Sequence, residues 1–123
     1  MASNKAYRLG PVALSATLTT NICNPGTLTG GVGMPEAKTF IVLRHLRIVN
    51  KTAGAVTFSL YIGATGANAA GTEFWGTARI VAANSAEDYY GIVYLKTSDF
   101  LVGGASAGTS LTIQGEGEIG IAD

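Results

Sequence analysis

The sequence predicts an all-β protein: an antiparallel β-sandwich or jelly roll of about seven to eight strands with an extended N-terminal arm. Three observations predict it. Seventeen glycines are spread over the 123 residues, and each costs about 1 kcal/mol relative to Ala inside a helix. Between them lie short runs rich in Val, Ile, Thr, Phe and Tyr, bounded by Gly, Asn and Ser, which is the composition of strands and turns. These runs recur at roughly ten-residue spacing, as in sandwiches and jelly rolls.

Taken in order, residues 1–10 read as a polar arm carrying Tyr7, Arg8 and Leu9, and residues 11–123 as one domain. In residues 12–19, Val12, Leu14, Ala16 and Leu18 alternate with Ala13, Ser15, Thr17 and Thr19, a strand pattern. Residues 21–38 form a long connection that holds Pro25, Gly26, Gly30, Gly31, Gly33 and Pro35. Loops of that length are usually functional or mobile. Residues 39–49 are the next strand. Residues 56–62 follow, with Val56, Phe58, Leu60 and Ile62 on one face and Thr57, Ser59 and Tyr61 on the other. Turn chemistry at Asn50-Lys51-Thr52-Ala53-Gly54 predicts that these two strands form a hairpin. Residues 74–81 and 89–96 are strands joined through Ala82-Ala83-Asn84-Ser85, with a single helical turn as the alternative for 82–88. Residues 100–103, 111–114 and 118–122 complete the set.

Charged residues make up only 13% of the chain, and eight Lys and Arg balance eight Asp and Glu. A net charge of zero supplies little attraction for phosphates or anionic lipid, so neither nucleic acid nor membrane is expected as a partner. The first ten residues contain no apolar h-region of a secretory signal. The apolar run Phe40-Ile41-Val42-Leu43 is interrupted at once by Arg44, His45 and Arg47, far short of a membrane span. Cys23 is the one cysteine, which excludes an internal disulfide or a cysteine metal cage. Synthesis in the cytoplasm is expected. Because small soluble monomers normally keep a charged surface, the low charge implies either a surface unusually rich in Thr, Ser, Asn and Gly or one partly covered by partners, and the second reading carries the functional weight.

The candidate motifs carry no chemistry. Gly115-Glu116-Gly117-Glu118-Ile119-Gly120 satisfies Gly-x-Gly-x-x-Gly, but a dinucleotide site needs a following helix and a later acidic residue; a bent terminal strand is expected instead. His45 is the only histidine, no Gly-x-Ser-x-Gly elbow exists, and one His with one Cys cannot make a usual zinc site. A histidine on the polar face of a strand is the expectation. Glu87-Asp88 and the pair Glu116 and Glu118, which share a strand face, are expected to be solvated or interfacial carboxylates. No loop has the calcium pattern Asp-x-Asp-x-Asp-Gly. Asn50-Lys51-Thr52 matches a glycosylation sequon but reads as a turn. No catalytic residue, metal ligand or cofactor is expected, and the chain reads as a non-enzyme. Aromatic residues and Arg are enriched at interfaces. The interface candidates are Tyr7, Arg8 and Leu9 in the arm, Ile22, Leu28 and Met34 in the long connection, and Arg44, Arg47, Trp75 and Tyr90, with Trp75 also a core candidate. Tyr89 and Tyr90 lie on opposite strand faces, so one of them points outward.

Five segments carry a resemblance: Ile41-Val42-Leu43-Arg44-His45-Leu46-Arg47-Ile48-Val49-Asn50, the run from Ala55 through Val56-Thr57-Phe58-Ser59-Leu60 to Gly63, Val81-Ala82-Ala83-Asn84-Ser85, Asp88-Tyr89-Tyr90-Gly91 and Ser98-Asp99-Phe100-Leu101-Val102-Gly103. Together they resemble the small β-sandwich structural proteins of tailed bacteriophages, which are capsid decoration (cement) proteins or components of tails and fibres. The resemblance covers residues 39–121 and transfers no functional residue. It implies a non-enzymatic virion protein on the capsid exterior, made in the host bacterial cytoplasm, a homotrimer with the major capsid protein as partner. Such a protein clamps neighbouring capsomers; the arm and the 21–38 connection are expected to be the capsid-facing or subunit-exchanging parts. On that expectation, deleting residues 1–9 abolishes capsid binding and leaves the fold intact. A tail or fibre-associated role is the alternative within the class. A carbohydrate-binding module is the alternative from another class, and exposed aromatics gathered on one face would favour it.

Overall fold

A computed structural model describes residues 5–25, 39–63, 72–96 and 98–121. Its strands are β1 (Lys5–Ala13), β2 (Asn21–Cys23), β3 (Thr39–Asn50), β4 (Val56–Gly63), β5 (Phe74–Val81), β6 (Ser85–Leu95), β7 (Phe100–Ala105) and β8 (Leu111–Ile121). They form two four-stranded sheets, β1-β8-β3-β6 (sheet 1) and β2-β7-β4-β5 (sheet 2). Every pairing is antiparallel, and β1 lies with β8, β2 with β7, β3 with β6, and β4 with β5. Contacts β3 with β8 and β4 with β7 complete the sheets.

One apolar cluster takes side chains from both sheets. Leu9, Ile41, Leu43, Leu46, Ile48, Ile113 and Ile119 come from sheet 1, and Phe58, Leu60, Val81 and Leu101 from sheet 2. Alternation explains the inward set on β4, where Val56, Phe58 and Leu60 are buried because successive side chains point to opposite faces. Trp75 packs edge-on to Phe58, with ring centres 5.0 Å apart, and Tyr89 lies beside Trp75 at 5.4 Å.

Four sequence expectations are corrected. The segment read as an arm is, over Lys5–Ala13, a strand hydrogen-bonded along β8, with Leu9 in the core. The strand expected at 12–19 stops at Ala13. Beyond it the Ser15 hydroxyl pairs with the Thr17 amide and carbonyl, and the Thr20 hydroxyl donates to the Thr17 carbonyl. Such local side-chain bonds compete with ladder bonds. Strands 111–114 and 118–122 are one strand, β8. Its glycines mark close approach: a Cβ on Gly117 would strike the Val42 carbonyl and the Leu43 Cα. The Gly-x-Gly-x-x-Gly run is thus packing, not a phosphate loop.

The fourth correction concerns the 39–49 and 56–62 hairpin. β3 and β4 belong to different sheets, and residues 51–55 carry the chain between them. Asn50 fixes this crossing. Its buried amide donates to the carbonyls of Gly54 (2.9 Å), Val81 (3.0 Å) and Ala82 (3.2 Å), and its oxygen accepts from the Thr52 amide and hydroxyl. The residues of the sequon therefore serve as an internal tie. The segment 82–88 is a tight turn leading into β6, with no helix. Asn50→Ala is expected to lower stability by about 2–3 kcal/mol, since an orphaned buried polar group costs about 1–3 kcal/mol. Urea unfolding measures it, and an unchanged midpoint would contradict the role.

Candidate functional site

The outward side of sheet 1 carries a connected group of polar side chains. A bulge in β3 creates it: the register with both neighbours shifts between Leu43 and His45. Strict alternation would turn His45 inward; the extra residue keeps Leu43 and Leu46 in the core while Arg44 and His45 both face out. Re-aiming side chains is what bulges do. Glu116 and Glu118 follow on the same face of β8, Arg8 stands opposite Glu116 on β1, and Tyr90 and Asp88 come from β6.

His45 sits at the centre. Its Nε2 lies 2.8 Å from Asp88 Oδ1 and its Nδ1 3.3 Å from Glu116 Oε1. The Tyr90 ring stacks on it at 4.7 Å and 17°. Arg47 donates to both Asp88 oxygens at 2.9 and 3.3 Å. Arg44 donates twice to Glu118, the shorter contact 2.9 Å, and Arg8 donates to Gln114 at 3.4 Å. Between these groups lies a depression of about 470 Å³ lined by Ala6, Tyr7, Arg8, His45, Arg47, Gln114, Gly115 and Glu116. Along the edge strand β6, Tyr90, Ile92 and Tyr94 are exposed, 76%, 68% and 45% respectively, and Tyr94 leans on Phe40.

The ion pairs are exposed apart from His45–Asp88, which is half-buried, and exposed pairs contribute about 0–1 kcal/mol each. Arg47 first, and then His45, hold the Asp88 carboxyl below its ordinary value of 3.8. A carboxyl depressed in the folded state stabilises it above the unfolded value, and that contribution is lost as pH falls through 3.8 and below. The urea midpoint of the wild type is therefore expected to fall more steeply than that of Asp88→Asn between about pH 5 and about pH 3. Parallel profiles would contradict this.

The structure places the interface candidates in three environments. Arg8, Arg44, Arg47 and Tyr90 share the outward face of sheet 1. Leu9 is a core residue, 2% exposed, which corrects its assignment to a surface. Tyr7, Ile22 and Trp75 pack against the core; the Tyr7 hydroxyl meets Cys23 Sγ at 3.4 Å, so Tyr7 is not on a free arm. Burial, and then Cys23, push the Tyr7 hydroxyl well above the usual phenol range, and burial raises the Cys23 thiol. Leu28 and Met34 lie outside the described residues, as does most of the 21–38 connection.

Sequence reasoning missed the joining of His45, Asp88, Glu116 and Gln114, although Glu116 and Glu118 were legible as sharing a face. Asp88 and Glu116 bind opposite nitrogens of the imidazole and do not converge on a common point; among the described residues no group of three or more His, Cys, Asp or Glu is disposed to hold a metal ion. Among those residues, too, no helix is long and apolar enough to cross a membrane. Comparison with protein-family models, curated proteins and solved structures finds no match for this chain.

Proposed function

We propose that the chain is a non-enzymatic structural protein of a phage virion, folded as an eight-stranded jelly roll and bound as a cement protein on the outside of the head. The strand pairing carries the reading. Pairs β1 with β8, β2 with β7, β3 with β6 and β4 with β5 are those of one long antiparallel hairpin wrapped into two sheets, the two-Greek-key jelly roll used by viral capsid and lectin domains. Fold alone does not fix function. The resemblance over residues 39–121 selects the virion role, and the balanced charge, eight of each sign, suits a protein covered by neighbours. The partners proposed are the major capsid protein and two further copies in a homotrimer.

The test mixes purified protein with heads that lack it. Saturable co-sedimentation, density between capsomers and a raised disruption temperature of the heads are expected, because a ligand bound only to the intact lattice stabilises it by mass action. Light scattering is expected to give the mass of three chains. Failure to sediment with heads would overturn the cement assignment, and binding to tails in the same assay would move the protein to the tail.

A further inference from the structure

We propose that the outward face of sheet 1 binds a neutral polysaccharide, with one sugar seated in the depression between Arg8, Gln114, Glu116 and Arg47 and the chain continuing over Tyr90 and Tyr94. This site goes beyond head binding and does not depend on it. The volume of about 470 Å³ falls within the range of small-ligand sites.

The lining selects the ligand class. Arg8, Arg47, His45 and Glu116 line the depression; Asp88, outside the lining, pairs with Arg47 and with the His45 nitrogen opposite Glu116, so the second guanidinium is already matched by a carboxylate. An anion entering the depression meets Glu116, and a nucleic acid finds no excess of positive charge. A protein partner is favoured by an apolar centre with a polar rim; here the charged groups hold the centre and the apolar side chains lie along the β6 edge. A sugar hydroxyl both donates and accepts, so it needs guanidinium, amide and carboxylate together, which Arg8, Gln114 and Glu116 supply.

The aromatic positions extend the site. Tyr90 and Tyr94 are exposed and four residues apart on β6, roughly 13 Å along a strand. That is the reach of an oligosaccharide, not of a single sugar. Tyr90 is fixed by its stack on His45, and His45 is held between Asp88 and Glu116. A side chain ordered beforehand loses less freedom on binding.

The experiment is calorimetric titration of the full chain with linear hexasaccharides of glucose, mannose, galactose and N-acetylglucosamine, each to about 1 mM, the weak end of specific affinity. Binding to at least one is expected, unchanged by added salt because the ligand carries no charge. Arg8→Ala and Glu116→Gln are each expected to weaken it about tenfold, the loss of one charge-assisted hydrogen bond, and Tyr90→Ala to weaken it comparably. Circular dichroism should show all three exposed-site variants folded. No heat with any of the four sugars overturns the proposal. So does binding confined to uronic acid or sulfated glycans, or binding indifferent to Glu116→Gln and Tyr90→Ala. Failure to bind heads, by contrast, would overturn only the cement assignment.

Discussion

Deleting residues 1–9 is expected to abolish the fold, giving a variant that is recovered aggregated or without native circular dichroism. The cause lies in Lys5–Ala13. Lys5 to Leu9 pair residue by residue with Ile119 to Gly115, Leu9 is 2% exposed in the shared core, and Tyr7 covers Cys23. Leu9→Ala alone should cost about 2–5 kcal/mol, against a total stability of about 5–15 kcal/mol for a domain. The deletion adds the loss of five ladder positions and turns β8 into a bare edge, and exposed apolar edges aggregate. A truncated chain with native circular dichroism and an unchanged urea midpoint would overturn the assignment of this segment. The consequence for function is direct: the truncation cannot test capsid contact, because any loss of binding would report unfolding. A test of capsid contact in this segment needs exposed point substitutions that leave Leu9 and the β8 ladder in place.

Local pattern made part of this architecture legible. Val56, Phe58 and Leu60 alternate cleanly with polar neighbours, and the structure puts them in the core. The bounds expected for residues 74–81 are those of β5. What failed was non-local. Asn50-Lys51-Thr52-Ala53-Gly54 has the composition of a hairpin turn, but whether it closes a hairpin or crosses between sheets depends on Val81 and Ala82, whose carbonyls Asn50 holds. Glycines in β8 resembled strand breakers because the approach of Val42 and Leu43 to Gly117 is a property of the neighbouring strand. The site was hidden for the same reason. The polar-face position of His45 was legible, but it meets Asp88 and Glu116 across sequence separations of 43 and 71 residues, and the bulge that sets Arg44 and His45 side by side shows in the register and not in the composition of β3.

Phe58→Ala is the largest single-residue effect expected in the core, about 3–5 kcal/mol. Phe58 heads the fully buried side chains by volume, at 1% exposure. It stands on β4 between β5 and β7 of sheet 2, and its ring belongs to the apolar cluster that takes side chains from both sheets. Collapse into the void its loss would leave is opposed by cluster members such as Leu46 and Ile48, which are themselves completely buried on a strand held between β6 and β8. The ring also supports Trp75, whose φ of 66° is a left-handed conformation that a bulky residue keeps only while its surroundings enforce it. The upper part of the range is therefore expected. Trp75 is the only tryptophan, and its emission should shift to the red in the variant even before unfolding, as its edge-to-face partner is lost. Phe58→Leu, which refills part of the volume, should recover part of both signals. A cost below about 1 kcal/mol, small against the usual penalty for losing a buried aromatic ring, with unchanged emission, would mean that the aromatic group of Phe58, Trp75 and Tyr89 stands apart from the core. The two sheets would then not share the single apolar interior on which the jelly-roll reading depends.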